Sequence, residues 1–163
     1  MIKILFVCMG NICRSPSGEA VMNGLITKNN LQDKIECDSA GTLEYHSGEP
    51  ADARMHSHAL KRGYDLTSLA RQIKRSDFEK FNYIIAMDKD NYYNILALDY
   101  ENKYKDEISL MMDFATQHDD SEVPDPYYGG ERGFEYVLDL LEDACLGLLN
   151  HIVEVDLKDI SDN

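Results

Sequence analysis

The chain opens with a short apolar run that leads directly into a polar loop and the start of a helix. Residues Ile2–Val7 are almost continuously apolar, which is typical of a parallel strand buried on both faces. Ser15-Pro16 then offers an N-cap residue followed by proline at the first helical position. The stretch Cys8–Ser15 must therefore carry the chain from a buried strand into a helix. This order predicts the first half of a βα unit.

The same alternation of strand and helix continues along the chain. Three further segments are predicted to be short strands, and other segments have the spacing of amphipathic helices. The predicted strands are Ile35–Ala40, Tyr83–Met87 and Ile108–Met112, and the predicted helices are Asp52–Arg62, Lys89–Leu98 and a terminal helix through Phe134 and Ile152. Such alternation predicts an α/β fold with a parallel sheet covered on both faces. Ligands of these folds bind at the carboxyl ends of strands, so the loop after the first strand is the candidate site.

Length and cysteine spacing limit how the chain is held together. With 163 residues and no repeat or linker, we expect one domain over residues 1–163. The four cysteines lack paired C-x-x-C spacing, which disfavours a structural zinc site, and a chain of this size needs no disulfide. The five histidines show no ligand spacing either, so we expect no metal and no cofactor. The first residues fit neither a cleaved signal peptide nor a membrane span, so we predict a cytoplasmic protein.

The net charge restricts the partners. Sixteen basic and thirty acidic residues give a formal charge of −14, which repels phosphate backbones and anionic lipid surfaces. We therefore expect no nucleic-acid partner and no membrane partner. A local anion site remains compatible with this charge, because a few donors aimed at one point outweigh a distant diffuse field.

The loop Cys8–Ser15 has the composition of an anion cradle with a nucleophile in it. The backbone N–H groups of a tight loop and of a helix N-terminus can point together at an anion. Gly10 permits a close backbone approach, and Arg14 supplies a planar fork that grips two phosphate oxygens. Ser15 can donate a hydrogen bond to the sulfur of Cys8 and help to stabilise its thiolate. This combination favours covalent catalysis of phosphoryl transfer.

The segment CMGNICRS at Cys8–Ser15 resembles the signature loop of the low-molecular-weight protein tyrosine phosphatases. Four further blocks match that family in the same order, namely Asp38–Thr42, Ala70–Gln72, Ala86–Asp88 with Asn91, and Val123–Gly129. The resemblance covers roughly residues 2 to 152; the stretch 101–122 and the tail after residue 155 match no block. It implies a four-stranded parallel sheet in the order 2-1-3-4, flanked by helices.

The resemblance also implies a role for three residues. Cys8 is expected to be the nucleophile, Arg14 the phosphate clamp and Asp125 the general acid and base. Cys8 would attack phosphorus while Asp125 protonates the leaving phenolate, and Asp125 would then activate the water that hydrolyses the cysteinyl phosphate. The flanking prolines Pro124 and Pro126 restrict the backbone of Asp125, which suits a positioned acid. From the residues alone, Asp125 is also one more carboxylate of an acidic run.

Other positions take supporting roles by the same resemblance. Asn11 and Ser39 are expected to support the loop, while Asp88 and the lone Cys37 and Cys145 are interpreted as structural. The predicted phosphate-binding loop consists of Met9, Gly10, Asn11, Ile12, Cys13, Arg14 and Ser15. The predicted walls of an aromatic slot are Met9, Tyr45, Tyr127 and Tyr128, although the tyrosines are also compatible with ordinary surface positions.

Substrate and regulation are implied in the same way. Family members that act on phosphoarginine carry threonine at the position of Ile12, so isoleucine favours phosphotyrosine proteins as partners. Cys8 and Cys13 are expected to form a reversible protective disulfide under peroxide, although Cys13 is also compatible with simple loop packing. The resemblance further implies a monomer or a weak dimer.

Three alternatives remain beside this interpretation. A thioredoxin-coupled arsenate reductase shares the fold and the loop, but it needs two more closely spaced cysteines in the second half, where Cys145 stands alone. A silent phosphopeptide-binding module would be expected to lack Cys8 or Asp125. A phosphatase with preference for another phosphoester is the third alternative.

Overall fold

The computed structural model describes residues 1–128 and 130–158, except for the side chains of Tyr128 and Glu131. Its centre is a four-stranded parallel sheet in the order β2-β1-β3-β4. The strands are β1 (Ile2–Cys8), β2 (Ile35–Gly41), β3 (Tyr83–Ala86) and β4 (Ile108–Leu110). The fold class and strand order predicted from the sequence are thus confirmed.

Helices cover both faces of this sheet. They are α1 (Arg14–Lys28), α2 (Ala53–Lys61), the single-turn α3 (Asp77–Lys80), α4 (Lys89–Leu98) and α5 (Glu131–Val155). Short 3₁₀ turns occur at Lys105–Glu107, Met111–Phe114 and Pro126–Tyr128. In the part of the chain that the structure describes, no helix combines the length and apolarity needed to cross a bilayer.

The alternating side chains of β1 build two separate apolar cores. Ile4 and Phe6 pack into the core formed with α1 and α5, whereas Leu5 and Val7 pack into the core beneath α3 and α4. All four side chains are fully buried. This burial on both faces explains why the strand is apolar without alternation. It also fixes the end of β1, and hence Cys8, between the two layers of helices.

Two predicted boundaries differ from the structure by two residues, and several others differ by one. The predicted strand Ile108–Met112 ends at Leu110, because Met111 and Met112 turn into a 3₁₀ segment and bury their side chains in the core. The first helix begins at Arg14 rather than after Ser15, and its N-cap is Cys13, without a side-chain capping bond. The predicted helix Lys89–Leu98 has the same bounds in the structure.

Candidate active site

The carboxyl end of β1 places Cys8 beside the end of β2. Cys8 pairs with Gly41, and the N–H groups of Thr42 and Leu43 donate to the carbonyl oxygens of Cys8 and Met9 at 2.9 and 3.0 Å. A Cβ atom on Gly41 would lie 2.7 Å from the carbonyl oxygen of Met9. Glycine is therefore required at residue 41 for the loop to approach β2 this closely.

Two polar groups surround the sulfur of Cys8, which is 3% exposed. The N–H of Asn11 donates to Cys8 Sγ at 3.3 Å, and Ser15 Oγ lies 3.1 Å from the same sulfur. Ser15 Oγ also lies 3.2 Å from the carbonyl oxygen of Ala40. The single proton of this hydroxyl can thus be donated either to that oxygen or to the sulfur.

Asn11 holds the loop in its turn. Its φ is 57°, a left-handed conformation that asparagine tolerates better than most residues. Its Nδ2 donates to Ser15 Oγ at 2.7 Å, and its Oδ1 accepts the backbone N–H of Arg71 at 3.0 Å. The loop-supporting role predicted for Asn11 agrees with these bonds. Ser39 is buried, but its hydroxyl makes no hydrogen bond to Asn11, whose partners are Ser15 and Arg71.

The guanidinium of Arg14 is buried and is held by two carboxylates. Nη1 donates to Asp88 Oδ2 at 2.5 Å and to the carbonyl oxygen of Val123 at 3.1 Å, and Nη2 lies 3.6 Å from Asp125 Oδ2. Burial opposes the charge on Arg14, but the facing Cys8, Asp88 and Asp125 outweigh it and raise the pKa of the guanidinium above its usual value. Arg14 is thus a buried, fully charged group at the floor of the site.

Asp88 contributes more to the site than its predicted structural role suggested. It follows β3 and caps α4, where its side chain and that of Asn91 form a reciprocal capping box. Its second oxygen orients Arg14. The sequence carried a signal for this contact, since the carboxyl ends of β1 and β3 meet at one edge of the sheet.

The segment that carries Asp125 enters the site beside the end of β3. The N–H of Val123 donates to the carbonyl oxygen of Met87 at 2.8 Å, which anchors the segment to the end of β3. Asp125 Oδ1 accepts the N–H of Tyr127 at 3.0 Å, and the side chain of Asp125 is 29% exposed. One carboxylate oxygen is thus fixed by the backbone while the other faces Arg14.

These groups open into one pocket of about 330 Å³. Its lining is Cys8, Met9, Gly10, Ile12, Cys13, Arg14, Leu43, Tyr45, His46, Asp125 and Tyr127. The structure therefore brings the predicted nucleophile, clamp and acid together with three of the four predicted wall residues. The side chain of the fourth, Tyr128, lies outside the described residues.

Leu43 and His46 line the pocket although the sequence analysis did not single them out. His46 Nδ1 lies 2.6 Å from Glu49 Oε2, and a Cβ atom on Gly10 would lie 3.1 Å from the imidazole ring of His46. The loop after β2 therefore covers the phosphate-binding loop. The carboxyl-end rule applied to β2 as well as β1 would have pointed to this segment.

The second cysteine of the loop is buried beside the first. Cys13 is 4% exposed, and burial, Asp52 and Cys8 raise the pKa of its thiol far above the ordinary range.

All four cysteines of the chain are free in the structure. Within residues 1–128 and 130–158, no group of three His, Cys, Asp or Glu side chains has the arrangement to hold a metal ion.

The site thus combines a buried cysteine at the end of a strand with an arginine that two carboxylates hold. Comparison with known proteins assigns the chain to a family. The sequence model of the low molecular weight phosphotyrosine protein phosphatases matches residues 3–158. The chain belongs to this family of hydrolases. The resemblance noted in the sequence is thereby confirmed.

Individual phosphatases support the same assignment. A putative low molecular weight protein-tyrosine-phosphatase of Synechocystis is 52% identical over 93% of this chain and 96% of its own length. A crystal structure of the protein tyrosine phosphatase of Entamoeba histolytica, with Hepes in the active site, superimposes with a TM-score of 0.92. It is 52% identical and covers 94% of this chain and 98% of its own. The structure of YfkJ from Bacillus subtilis gives a TM-score of 0.89 at 38% identity, over 96% of this chain and 97% of its own.

Proposed function

We propose that this phosphatase hydrolyses phosphotyrosine in proteins, and aryl phosphates in general, through a cysteinyl-phosphate intermediate. One observation carries the proposal. Cys8 Sγ receives the N–H of Asn11 and neighbours the hydroxyl of Ser15 in a pocket that also contains Arg14 and Asp125. A nucleophile, a phosphate clamp and a proton donor are thus within one site, which is the set that this chemistry requires.

In the first step, the thiolate of Cys8 attacks phosphorus and the P–O bond to the phenol breaks. The loop N–H groups and the positive end of α1 hold the phosphoryl oxygens, together with Arg14. Asp125 donates its proton to the departing phenolate oxygen. The orientation of Arg14 by Asp88 and by the Val123 carbonyl keeps its fork fixed before substrate arrives.

In the second step, the same carboxylate takes a proton from a water molecule. The resulting hydroxide attacks phosphorus, the S–P bond breaks, and Cys8 leaves as a thiolate. Ser15 can donate its hydroxyl proton to that sulfur at the 3.1 Å separation, which stabilises the leaving thiolate. Inorganic phosphate is then released and Asp125 is protonated again.

The walls of the pocket favour an aromatic substrate. Met9, Tyr45 and Tyr127 line it, and Tyr127 follows closely after residues Val123–Asp125, which are called the acid segment. Aromatic rings prefer stacked or edge-on contacts with one another, so a phenyl phosphate fits between such walls. Tyr128 is part of this proposal through the family resemblance. The buried Ile12 completes an apolar lining, which suits a phenyl ring better than a guanidinium.

We further propose that the enzyme is cytoplasmic, works as a monomer or weak dimer and requires no cofactor. We also propose that Cys8 and Cys13 form a reversible disulfide. The free cysteines support a reducing compartment.

The direct test is hydrolysis of p-nitrophenyl phosphate with EDTA present. Wild type should turn over, Cys8→Ser should be inactive, and Asp125→Asn should lose about 100-fold or more in kcat. Asp119→Asn serves as the matched control, because Asp119 is an exposed carboxylate of the same acidic run. It should keep wild-type kcat.

Two results would overturn the proposal. Absence of turnover by folded, reduced wild type would leave a phosphopeptide-binding module or an arsenate reductase, and binding of a phosphotyrosine peptide would separate these two. Full activity of Cys8→Ser would exclude the cysteinyl-phosphate route. Trapping of a phosphorus-labelled protein in wild type but not in Cys8→Ser would identify the intermediate itself.

A further inference from the structure

A side chain outside the phosphate-binding loop connects the two halves of the site. Arg54 lies in the first turn of α2, and its guanidinium is 5.2 Å from the ring centroid of Tyr127 and 5.1 Å from that of Phe134. Its Nη2 also lies 3.5 Å from the carbonyl oxygen of Tyr127. Arg54 therefore contacts the pocket wall that follows the acid segment, and it contacts the start of α5.

Arg54 is also linked to the phosphate-binding loop, through Asp52. Arg54 Nε and Nη2 donate to the two carboxylate oxygens of Asp52 at 3.3 and 3.1 Å, a forked pairing. The backbone N–H of Asp52 donates to the carbonyl oxygen of Ile12 at 2.9 Å. A chain of direct contacts thus runs from Ile12 through Asp52 and Arg54 to Tyr127.

Tyr127 in turn is bonded to the acid. Its N–H donates to Asp125 Oδ1 at 3.0 Å, so a shift of Tyr127 would move the carboxylate that faces Arg14. The segment is anchored to the end of β3 at Val123, but Asp125 lies two residues beyond that anchor and is partly exposed. Contacts from outside the segment must therefore restrain it.

We propose that Arg54 is a positioning residue that sets the Tyr127 wall and, through it, the general acid Asp125 relative to the phosphate-binding loop. This inference rests on the proposed function. Arg54 does not touch the reacting atoms; it acts through the ring and backbone of Tyr127. Its planar fork bonds Asp52 and stacks on two rings at once, which a lysine ammonium cannot reproduce.

The leaving group provides a readout that a purely structural role would not change. Phenol is a poorer leaving group than p-nitrophenol, so hydrolysis of phenyl phosphate depends more strongly on the proton from Asp125. In Arg54→Met, kcat/KM for phenyl phosphate should fall about three- to ten-fold further than kcat/KM for p-nitrophenyl phosphate. Arg54→Lys should give an intermediate ratio, because it keeps the charge but loses the fork.

Arg62→Met is the matched control at the other end of the same helix. Arg62 bonds Glu135, Asp139 and Glu142 of α5, and none of its contacts with the described residues reaches the acid segment. Its loss should lower the thermal midpoint while leaving the ratio of the two esters at its wild-type value. An unchanged ratio in Arg54→Met, or an equal change in Arg62→Met, would overturn the proposal.

Amide hydrogen exchange tests the same role without catalysis. Arg54→Met should speed exchange of the Tyr127 amide several-fold, whereas Arg62→Met should leave it unchanged. If wild type hydrolysed neither ester, the proposed function would fail, and the exchange comparison would still decide whether Arg54 fixes this segment. Equal Tyr127 exchange in wild type and Arg54→Met would reject the positioning role.

Discussion

Arg14 and Asp88 are 74 residues apart in the chain, yet Arg14 Nη1 lies 2.5 Å from Asp88 Oδ2. The side chain of Arg14 is 3% exposed and that of Asp88 is 21% exposed. A buried guanidinium needs a charged partner, and a carboxylate at the end of β3 supplies one without occupying the phosphate cradle. The pair therefore fixes the direction of the guanidinium that we propose as the phosphate clamp.

Asp88→Asn should separate this charge from the capping function of the residue. Asparagine still caps α4, but the buried Arg14 loses its charged partner. We expect kcat/KM for p-nitrophenyl phosphate to fall about ten-fold and the free energy of unfolding to fall by about 1–3 kcal/mol. Asp90→Asn, an exposed residue of the same helix, should change neither quantity. Wild-type kinetics in Asp88→Asn would show that Arg14 is oriented without the ion pair.

The left-handed turn at Asn11 makes a second prediction possible. Asn11→Ala loses the bonds to Ser15 and Arg71 and places alanine, which tolerates the left-handed region less well than asparagine, at φ 57°. We expect a loss of about 2–4 kcal/mol in the free energy of unfolding and of about 100-fold in kcat.

Two variants separate the contributions at Asn11. Asn30 has a φ of 56° and is exposed, so Asn30→Ala should lose only about 1 kcal/mol and leave kcat unchanged. Asn11→Gly should regain the conformational part of the stability but not the activity. Wild-type kcat in Asn11→Gly would show that the two side-chain bonds are dispensable for catalysis. Urea unfolding and steady-state kinetics measure both quantities.

The fold could be predicted because most of its main strands and helices carry a local signal in the sequence. Ile2–Val7 is apolar on both faces, and Lys89–Leu98 begins directly after the capping residue Asp88. Met111 and Met112 are apolar in a strand or in a 3₁₀ turn, so their pattern could not locate the end of β4. The four-residue helix Asp77–Lys80 is too short for periodicity to show.

The site was predictable only where its residues are contiguous or carried by the family resemblance. Cys8 and Arg14 belong to one loop, and Asp125 was assigned through the resemblance. The contacts of Arg14 with Asp88 and of Gly10 with His46 join segments that are distant in sequence. The carboxyl-end rule indicates that these segments meet at one edge of the sheet, but no local pattern specifies which side chains contact one another there.

We expect Glu19 on α1 to make the free energy of unfolding depend on pH. Burial and then the neighbouring Asp38 raise the pKa of Glu19 to about 7. Because the folded-state pKa lies above the unfolded value, the contribution of Glu19 to stability is fully present below about pH 4.5 and is lost as the pH rises through 7. Glu19→Gln should therefore be more stable than wild type at pH 8, by roughly 1–3 kcal/mol, and nearly equal to it at pH 4.5.

Urea unfolding at pH 4.5 and pH 8 measures this difference. Glu154→Gln is the matched control, because Glu154 is an exposed glutamate of α5. It should show no pH-dependent gain. A gain in Glu19→Gln that is the same at both pH values would contradict the titration of Glu19 between them.

Cys13 should decide whether oxidation of the enzyme is reversible. Peroxide converts the Cys8 thiolate to a sulfenic acid and hydroxide, and the Cys13 thiol then displaces water to form the disulfide. Dithiothreitol should restore wild type, whereas Cys13→Ser should recover only a small part of its activity because its sulfenic acid oxidises further. Cys37→Ser, on β2, should recover like wild type. Equal recovery of Cys13→Ser and wild type would exclude the protective disulfide.

The formal charge of −14 should steer the enzyme toward phosphotyrosine with basic flanking residues. The segment around the pocket mouth also carries the exposed carboxylates Glu44 and Glu49. At about 10 mM ionic strength the Debye length is about 30 Å, so this field acts on an approaching peptide. At 1 M the Debye length is about 3 Å.

We expect kcat/KM for a lysine-flanked phosphopeptide to exceed that for a glutamate-flanked one by about ten-fold at low salt. The ratio should approach one at 1 M salt, with p-nitrophenyl phosphate as the control that lacks flanking charge. Equal kcat/KM for the two peptides at low salt would exclude steering by the acidic surface.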